Sequence, residues 1–268
     1  FEKSFHFGLD LAASYTFGHS KSVYDGTSSV AYSNWKYNYA VDSNNPGLAY
    51  SMFDIPHRVM VSVGYRTPRY AKGFMATTVS LVYNGYVGQR YSLTMNESYY
   101  DAEKKKTVYI DYNGDGWGGN SLLYIPTEDE LQKMDFKTEE DRRKFDEWIE
   151  GDSYAKKHRG AYAMRNSNSA PWENRVDLHV AQDIFVLKDR GSKFQVTFDV
   201  TNFANMLNKK WGTTYTAAYN VMPLQVIGSK KGEDGNYTNT YAYNSRNTIT
   251  KNDVLSRWHA QIGFKYIF

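Results

Sequence analysis

The last eleven residues, WHAQIGFKYIF, alternate without a break. Trp258, Ala260, Ile262, Phe264, Tyr266 and Phe268 fall on one face of an extended strand, and His259, Gln261, Gly263 and Lys265 on the other, because side chains of a strand point to opposite sides in turn. Five further segments carry the same pattern. In the first, Phe5, Phe7, Leu9, Leu11, Ala13, Tyr15 and Phe17 oppose His6, Gly8, Asp10, Ala12, Ser14 and Thr16. The second sets Val59, Val61, Val63 and Tyr65 against Arg58, Ser62, Gly64 and Arg66, and the third sets Met75, Val79, Leu81 and Tyr83 against Ala76, Thr78, Ser80 and Asn84. In the fourth, Val176, Leu178, Val180, Ile184 and Val186 oppose Arg175, Asp177, His179 and Asp183, and in the fifth Phe194, Val196, Phe198 and Val200 oppose Gln195, Thr197 and Asp199. Every ionisable side chain in these segments lies on the polar face. Gln182 breaks the pattern, and a β-bulge near Ala181 is expected to re-aim it.

The connections decide between a soluble sheet and a membrane one. TPRYAKG and KDRGS are short and turn-like, whereas the other three links run to tens of residues, beyond ordinary loops. Short and long links alternate strictly, as in a membrane barrel with short periplasmic turns and long extracellular loops. The expected fold is therefore all-β, a transmembrane antiparallel β-barrel with its C-terminus periplasmic. Lipid-facing Arg or Lys would cost ~2–4 kcal/mol at the midplane, which explains their absence from the apolar face. Phe5, Phe7, Tyr65, Tyr266 and Phe268 are assigned to an inner aromatic girdle, and Tyr15, Phe17, Tyr83 and Trp258 to an outer one. The final strand resembles the C-terminal strand of bacterial outer-membrane barrels. The resemblance implies that Trp258, Phe264, Tyr266 and Phe268 form the signal that the barrel-assembly machinery reads.

Composition removes several function classes. The chain has no cysteine, hence no disulfide scaffold, thiolate metal site or cysteine nucleophile. No run approaches the ~20 apolar residues that a membrane helix needs. A net charge of +3, with Lys and Arg scattered, leaves no nucleic-acid footprint. The 24 tyrosines suit interfacial girdles. The chain starts as FEKSFHF inside an alternating segment, and the expectation is a mature product or a fragment.

The long links carry signals of their own. Thr127 with Glu130, and Thr138 with Asp141, predict two short helices, the second with an apolar stripe of Phe145, Trp148 and Ile149. Its charged residues read as a solvated face. Residues 228–253 read as an exposed loop or a further hairpin. In DYNGDGWGG, Asp111, Asn113 and Asp115 are spaced like the first ligands of a Ca²⁺ loop with Gly116 at the turn, but Leu122 stands where the bidentate Glu belongs. An Asx-rich turn explains the same residues, so both readings stand. No cofactor is required. The histidines lack zinc-ligand spacing, and Asp10, Asp177, His179, Asp183 and Asp199 read as polar lumen groups rather than a catalytic set, so no catalytic or cofactor-binding residue is nominated. Trp35, Tyr37, Tyr99, Tyr100 and Trp117 are loop aromatics that suit a sugar, a peptide or a partner lipoprotein equally.

Four stretches are familiar together: NGDGWGGNSLLYIPTEDE, FDEWIEGDSYAKKHRGAYAMRNSNSAPWENRVDLHVAQDIF, FQVTFDVTNFANMLNKKWG and SRWHAQIGFKYIF. In order and spacing they resemble the C-terminal barrel portion of TonB-dependent outer-membrane receptors of the Bacteroidetes type, in particular the Oar-like group with a carboxypeptidase-regulatory-like N-terminal domain. The resemblance spans about residues 54–268. It implies a 22-stranded barrel, occluded by an N-terminal plug, that imports a bulky nutrient with energy from the inner-membrane TonB complex. Residues 1–268 are then expected to be the C-terminal part of that barrel domain, without plug or TonB-contacting segment, embedded in outer-membrane lipid and open to a surface lipoprotein partner. The alternative is a small self-contained outer-membrane barrel with a structural or adhesive role.

Overall fold

The computed structural model describes residues 1–186, 192–216, 220–245 and 249–268. Seven strands form one sheet in chain order: β1 (Glu2–Ser4), β2 (Leu9–Phe17), β3 (His57–Arg66), β4 (Met75–Tyr86), β5 (Glu173–Phe185), β6 (Lys193–Thr201) and β7 (His259–Ile267). Each strand pairs antiparallel with the next. The sheet is open, with β1 and β7 as its edges.

The register aligns the apolar residues across strands. Leu11, Val63, Leu81, Leu178, Val200 and Ala260 are consecutive cross-strand partners from β2 to β7. One residue away on the other face run Asp10, Gly64, Ser80, His179, Asp199 and Gln261. A one-residue slip anywhere would exchange the faces. From Asn174 to Ile184 the apolar face of β5 spans ten residue steps, roughly 33 Å along the strand at ~3.3 Å each. At the ~40° tilt of membrane barrels this is about 25 Å of height, which matches their apolar band. The face is uncovered: Ile262 is 63% exposed and Phe264 82%.

Two expectations are corrected. The strands number seven rather than six, because the segment read as one strand from Phe5 contains a turn. Phe5 N–H donates to the Leu9 carbonyl (2.8 Å) and Gly8 N–H to the Phe5 carbonyl (3.0 Å), which folds β1 back on β2. Gly8 has φ +93°, and a Cβ there would lie 2.2 Å from the Arg66 carbonyl oxygen, so the turn requires glycine. Phe5 and Phe7 therefore stand in a turn, and their two-residue spacing only mimics a strand. No bulge occurs at Ala181 either: β5 runs in continuous register, Gln182 opposite Thr77 and Val196. Gln182 stays on the apolar face with its amide satisfied, Oε1 accepting from Thr77 Oγ1 (2.8 Å) and Tyr70 Oη (2.9 Å), and Nε2 donating to the Ala76 carbonyl (3.2 Å). The expected short KDRGS turn lies outside the described residues apart from Ser192.

Links at one end of the sheet are short, residues 5–8 and 67–74, and at the other long, residues 18–56, 87–172 and 202–258. The main hydrophobic core lies in these long links. Leu93, Leu123, Ile125, Leu131, Phe145, Ile149 and Leu224 are buried together there. Residues 228–253 include the second of the two expected forms, a hairpin of Leu224–Lys231 with Tyr237–Tyr243.

Candidate binding site in the long loops

Four short helices stand among the loops: α1 (Ala31–Lys36), α2 (Glu128–Lys133), α3 (Glu139–Gly151) and α4 (Phe203–Leu207). The two predicted from capping residues form as expected. Thr127 and Glu130 close a complete capping box on α2, and Thr138 Oγ1 accepts from Asp141 N–H (3.1 Å) at the start of α3. Phe145 and Ile149 carry α3 into the core and Trp148 packs beside them, while Arg142–Glu139 and Arg143–Glu140 pairs occupy the solvated side. Arg159 then ties α3 down through Asp146 (2.5 Å), Glu150 (2.9 Å) and the Pro126 carbonyl (3.2 Å).

The three long links are joined by buried polar contacts. Asp54, from the first, accepts from Arg90 Nη2 (2.7 Å) and Nε (3.0 Å) of the second and from Ser20 N–H (2.6 Å). Burial alone would raise the Asp54 carboxyl; the Ser20 N–H and the Arg90 guanidinium outweigh it and hold the group below the usual carboxylate range. Asp25 repeats the arrangement. Burial is opposed by the Ser22 hydroxyl (2.7 Å) and Arg165 Nη1 (2.8 Å), and its carboxyl is again held low. The third link joins through Asn220 Nδ2, which donates to Thr94 Oγ1 (3.0 Å).

Beside the Asp25–Arg165 pair is a cavity of about 350 Å³, bordered by Asn34, Tyr37, Asn38 and Asn166. Next to it the Lys36 ammonium sits 3.3 Å from the Trp117 ring centroid, 5.3 Å from Tyr37 and 5.6 Å from Tyr32. Amide groups, an ion pair and exposed aromatic faces are recognition chemistry. Of the loop aromatics singled out from sequence, Tyr37 and Trp117 meet edge to face (6.1 Å) and Trp35 stacks on Tyr32. Tyr99 and Tyr100 lie apart, on the Ser98–Asp101/Lys106–Tyr109 hairpin. Sequence inspection missed Asp25, Asp54, Arg90 and Arg165, whose partners stand up to 143 residues away.

Asp111, Asn113 and Asp115 share one turn. Asp111 accepts from Gly116 N–H (2.8 Å) and Asp115 N–H (3.2 Å), and Asp115 accepts from Ser43 Oγ (2.6 Å), Asn120 Nδ2 (2.7 Å) and Trp117 N–H (2.8 Å). Burial would raise the Asp115 carboxyl, but the Asn120 and Ser43 donors outweigh it and keep it low. These bonds are those of an Asx turn that also staples the first long link to the second.

The lumen-face carboxylates are dispersed. His179 Nδ1 meets Asp199 (2.5 Å); Asp183 is held by Arg66 (2.7 Å), Lys193 (2.7 Å) and Gln195 (2.8 Å); Asp177 pairs with Arg175 (3.0 Å). On the apolar face, Tyr266 packs between Phe194 (4.9 Å) and Phe268 (6.0 Å), Phe264 is exposed beside them, and Trp258 stands just before β7 at the long-link end.

Comparison with known proteins agrees with this architecture. A family model described as "Outer membrane beta barrel domain" matches residues 1–248. No curated protein and no solved structure matches. Sheet register, uncovered apolar face and family match converge on the outer membrane, and the chain belongs to the outer membrane beta barrel domain family.

Proposed function

We propose that these residues form part of the wall and the outer vestibule of a TonB-dependent importer of a bulky nutrient, with the long links outside the cell and the short turns and C-terminus in the periplasm. The observation that carries this reading is the folded loop assembly: the second and third long links share one core, the first is tied to them by the buried Asp54–Arg90 and Asp25–Arg165 pairs, and together they hold an aromatic-flanked cavity. A barrel with a purely structural role has no need of such a body. The resemblance of residues 54–268 to Oar-like receptors supplies the energy source, TonB acting through a plug encoded elsewhere in the polypeptide. Within this reading Trp258, Phe264, Tyr266 and Phe268 serve barrel assembly, the Tyr37–Trp117 region contacts cargo or a surface lipoprotein, and no reaction is carried out.

Growth on complex nutrients, with the gene intact or deleted, identifies the cargo class. Removing TonB is then expected to abolish growth on that nutrient while its binding to intact cells persists. Undiminished growth without TonB contradicts import, and a passive pore or an adhesive barrel becomes the better account.

A further inference from the structure

A groove lies at the long-link end of β5, away from the loop cavity. The pairing of β5 with β6 stops at Leu178 opposite Val200, so residues 173–177 of β5 have only β4 as a strand partner. There α4 packs on β5, and the chain returns through Lys209, Lys210 and Trp211. Between them is a space of about 270 Å³ lined by Trp172, Asn174, Val176, Lys210 and Trp211. Asn174 and Val176 belong to the apolar face, so the groove opens on the side of the sheet that meets lipid. A strand edge without a partner is untenable deep in hydrocarbon, which sets the groove at the outer boundary of the apolar band, where headgroups meet acyl chains.

The polar groups in the groove favour one kind of occupant. Asn174 Oδ1 accepts from Tyr83 Oη (2.7 Å) and Trp172 Nε1 (3.1 Å), while its NH₂ makes no hydrogen bond among the described residues. Lys209 and Lys210 are exposed, and among the described residues no carboxylate lies within ion-pair distance of either. Two indole rings, an amide donor and the Lys210 ammonium line this edge of an apolar wall, with the exposed Lys209 adjacent in the chain, and match a sugar that carries phosphate on an acylated base.

We infer that this groove binds the phosphorylated glycolipid of the outer leaflet, with Lys210 and Lys209 on the phosphate, Trp172 and Trp211 against the sugar, and Val176 beside the acyl chains. The inference rests on the outward orientation of the long links and is independent of import.

The test uses the full-length protein purified from outer membranes. Native mass spectrometry is expected to show one retained phosphorylated glycolipid; retention of none overturns the inference. Titration of delipidated protein, followed by tryptophan fluorescence, compares bisphosphorylated lipid A, its dephosphorylated form, phosphatidylglycerol and inorganic phosphate. The bisphosphorylated form is expected to bind at least tenfold tighter than the others. Lys209→Ala with Lys210→Ala is expected to remove that margin, and Lys230→Ala with Lys231→Ala, the same charge change on the distant hairpin, to preserve it. Equal affinity for the dephosphorylated lipid, or equal loss in the two double variants, overturns the inference. Tighter binding of phosphatidylglycerol overturns it by placing the groove in the inner leaflet, whereas a failure of import alone leaves the lipid preference intact.

Discussion

At the scale of single residues, the loop assembly depends on charges that are buried and matched. Arg90→Ala would leave Asp54 buried without its guanidinium, a change that typically costs 3–5 kcal/mol. Hydrogen exchange in residues 90–93 and 18–56 is expected to accelerate accordingly, with β3–β6 unaffected. Asp25, Asp54 and Asp115 all have depressed carboxyl values. Such groups add stability above their unfolded pKa of about 3.9 and lose it as pH falls through the lower folded value. Acid is therefore expected to loosen these ties only below about pH 4, read as a change in loop tryptophan fluorescence. Glu97 has the opposite sign. Both its carboxylate oxygens are buried, and burial pushes the group up, outweighing the Ser121 hydroxyl and the Ser121, Asn120 and Tyr112 N–H groups nearby. Its stabilising effect is present below the unfolded value of about 4.3 and is lost as pH rises through the raised folded one. Glu97→Gln is thus predicted to raise the melting temperature of the loops at pH 7 and to change it little at pH 4. For Asp111, Asn113 and Asp115 the two readings separate by titration: a turn alone predicts that EDTA and added Ca²⁺ both leave that temperature unchanged, and a rise on adding Ca²⁺ would establish the metal site.

At the scale of elements, what was legible in the sequence follows from how local each signal is. Alternation names six of the seven strands, β2 to β7, because register, burial face and charge placement all obey period two. β1 escaped because EKS is too short to alternate and the aromatic pair in the following turn extends the period falsely. The caps of α2 and α3 were legible since a cap and its partner lie three residues apart. The Asp54–Arg90 and Asp25–Arg165 ties were not, because no local pattern links residues 36 and 140 positions apart. Phe145→Ala is expected to cost about 3–5 kcal/mol by emptying the centre of the loop core, and Thr127→Ala about 1 kcal/mol by removing a cap. Both effects are predicted in loop hydrogen exchange and absent from the sheet. On the last strand, Phe268→Asp is expected to reduce the outer-membrane fraction, read as heat-modifiable mobility, far more than Lys265→Asp, since only the former places a charge on the lipid face. Equal assembly of the two would remove the role assigned to the terminal aromatics.

At the scale of the whole molecule, the chain separates two solvents. Its apolar side chains are spent on lipid along β2–β7, and its aqueous core is built in the links at one end. That division explains why a chain of modest hydropathy, with no helix among the described residues long and apolar enough to cross a membrane, still belongs in one. The absence of cysteine makes it directly testable, because each introduced thiol is the only one in these residues. Three variants suffice: Glu233→Cys on the loop hairpin, His6→Cys in the short β1–β2 turn, and Phe198→Cys on the apolar face. With a membrane-impermeant maleimide, Glu233→Cys is predicted to label on intact cells, His6→Cys only after the outer membrane is permeabilised, and Phe198→Cys in neither case. Labelling of His6→Cys but not Glu233→Cys on intact cells would reverse the orientation, and free labelling of Phe198→Cys in folded protein would contradict the membrane sheet itself.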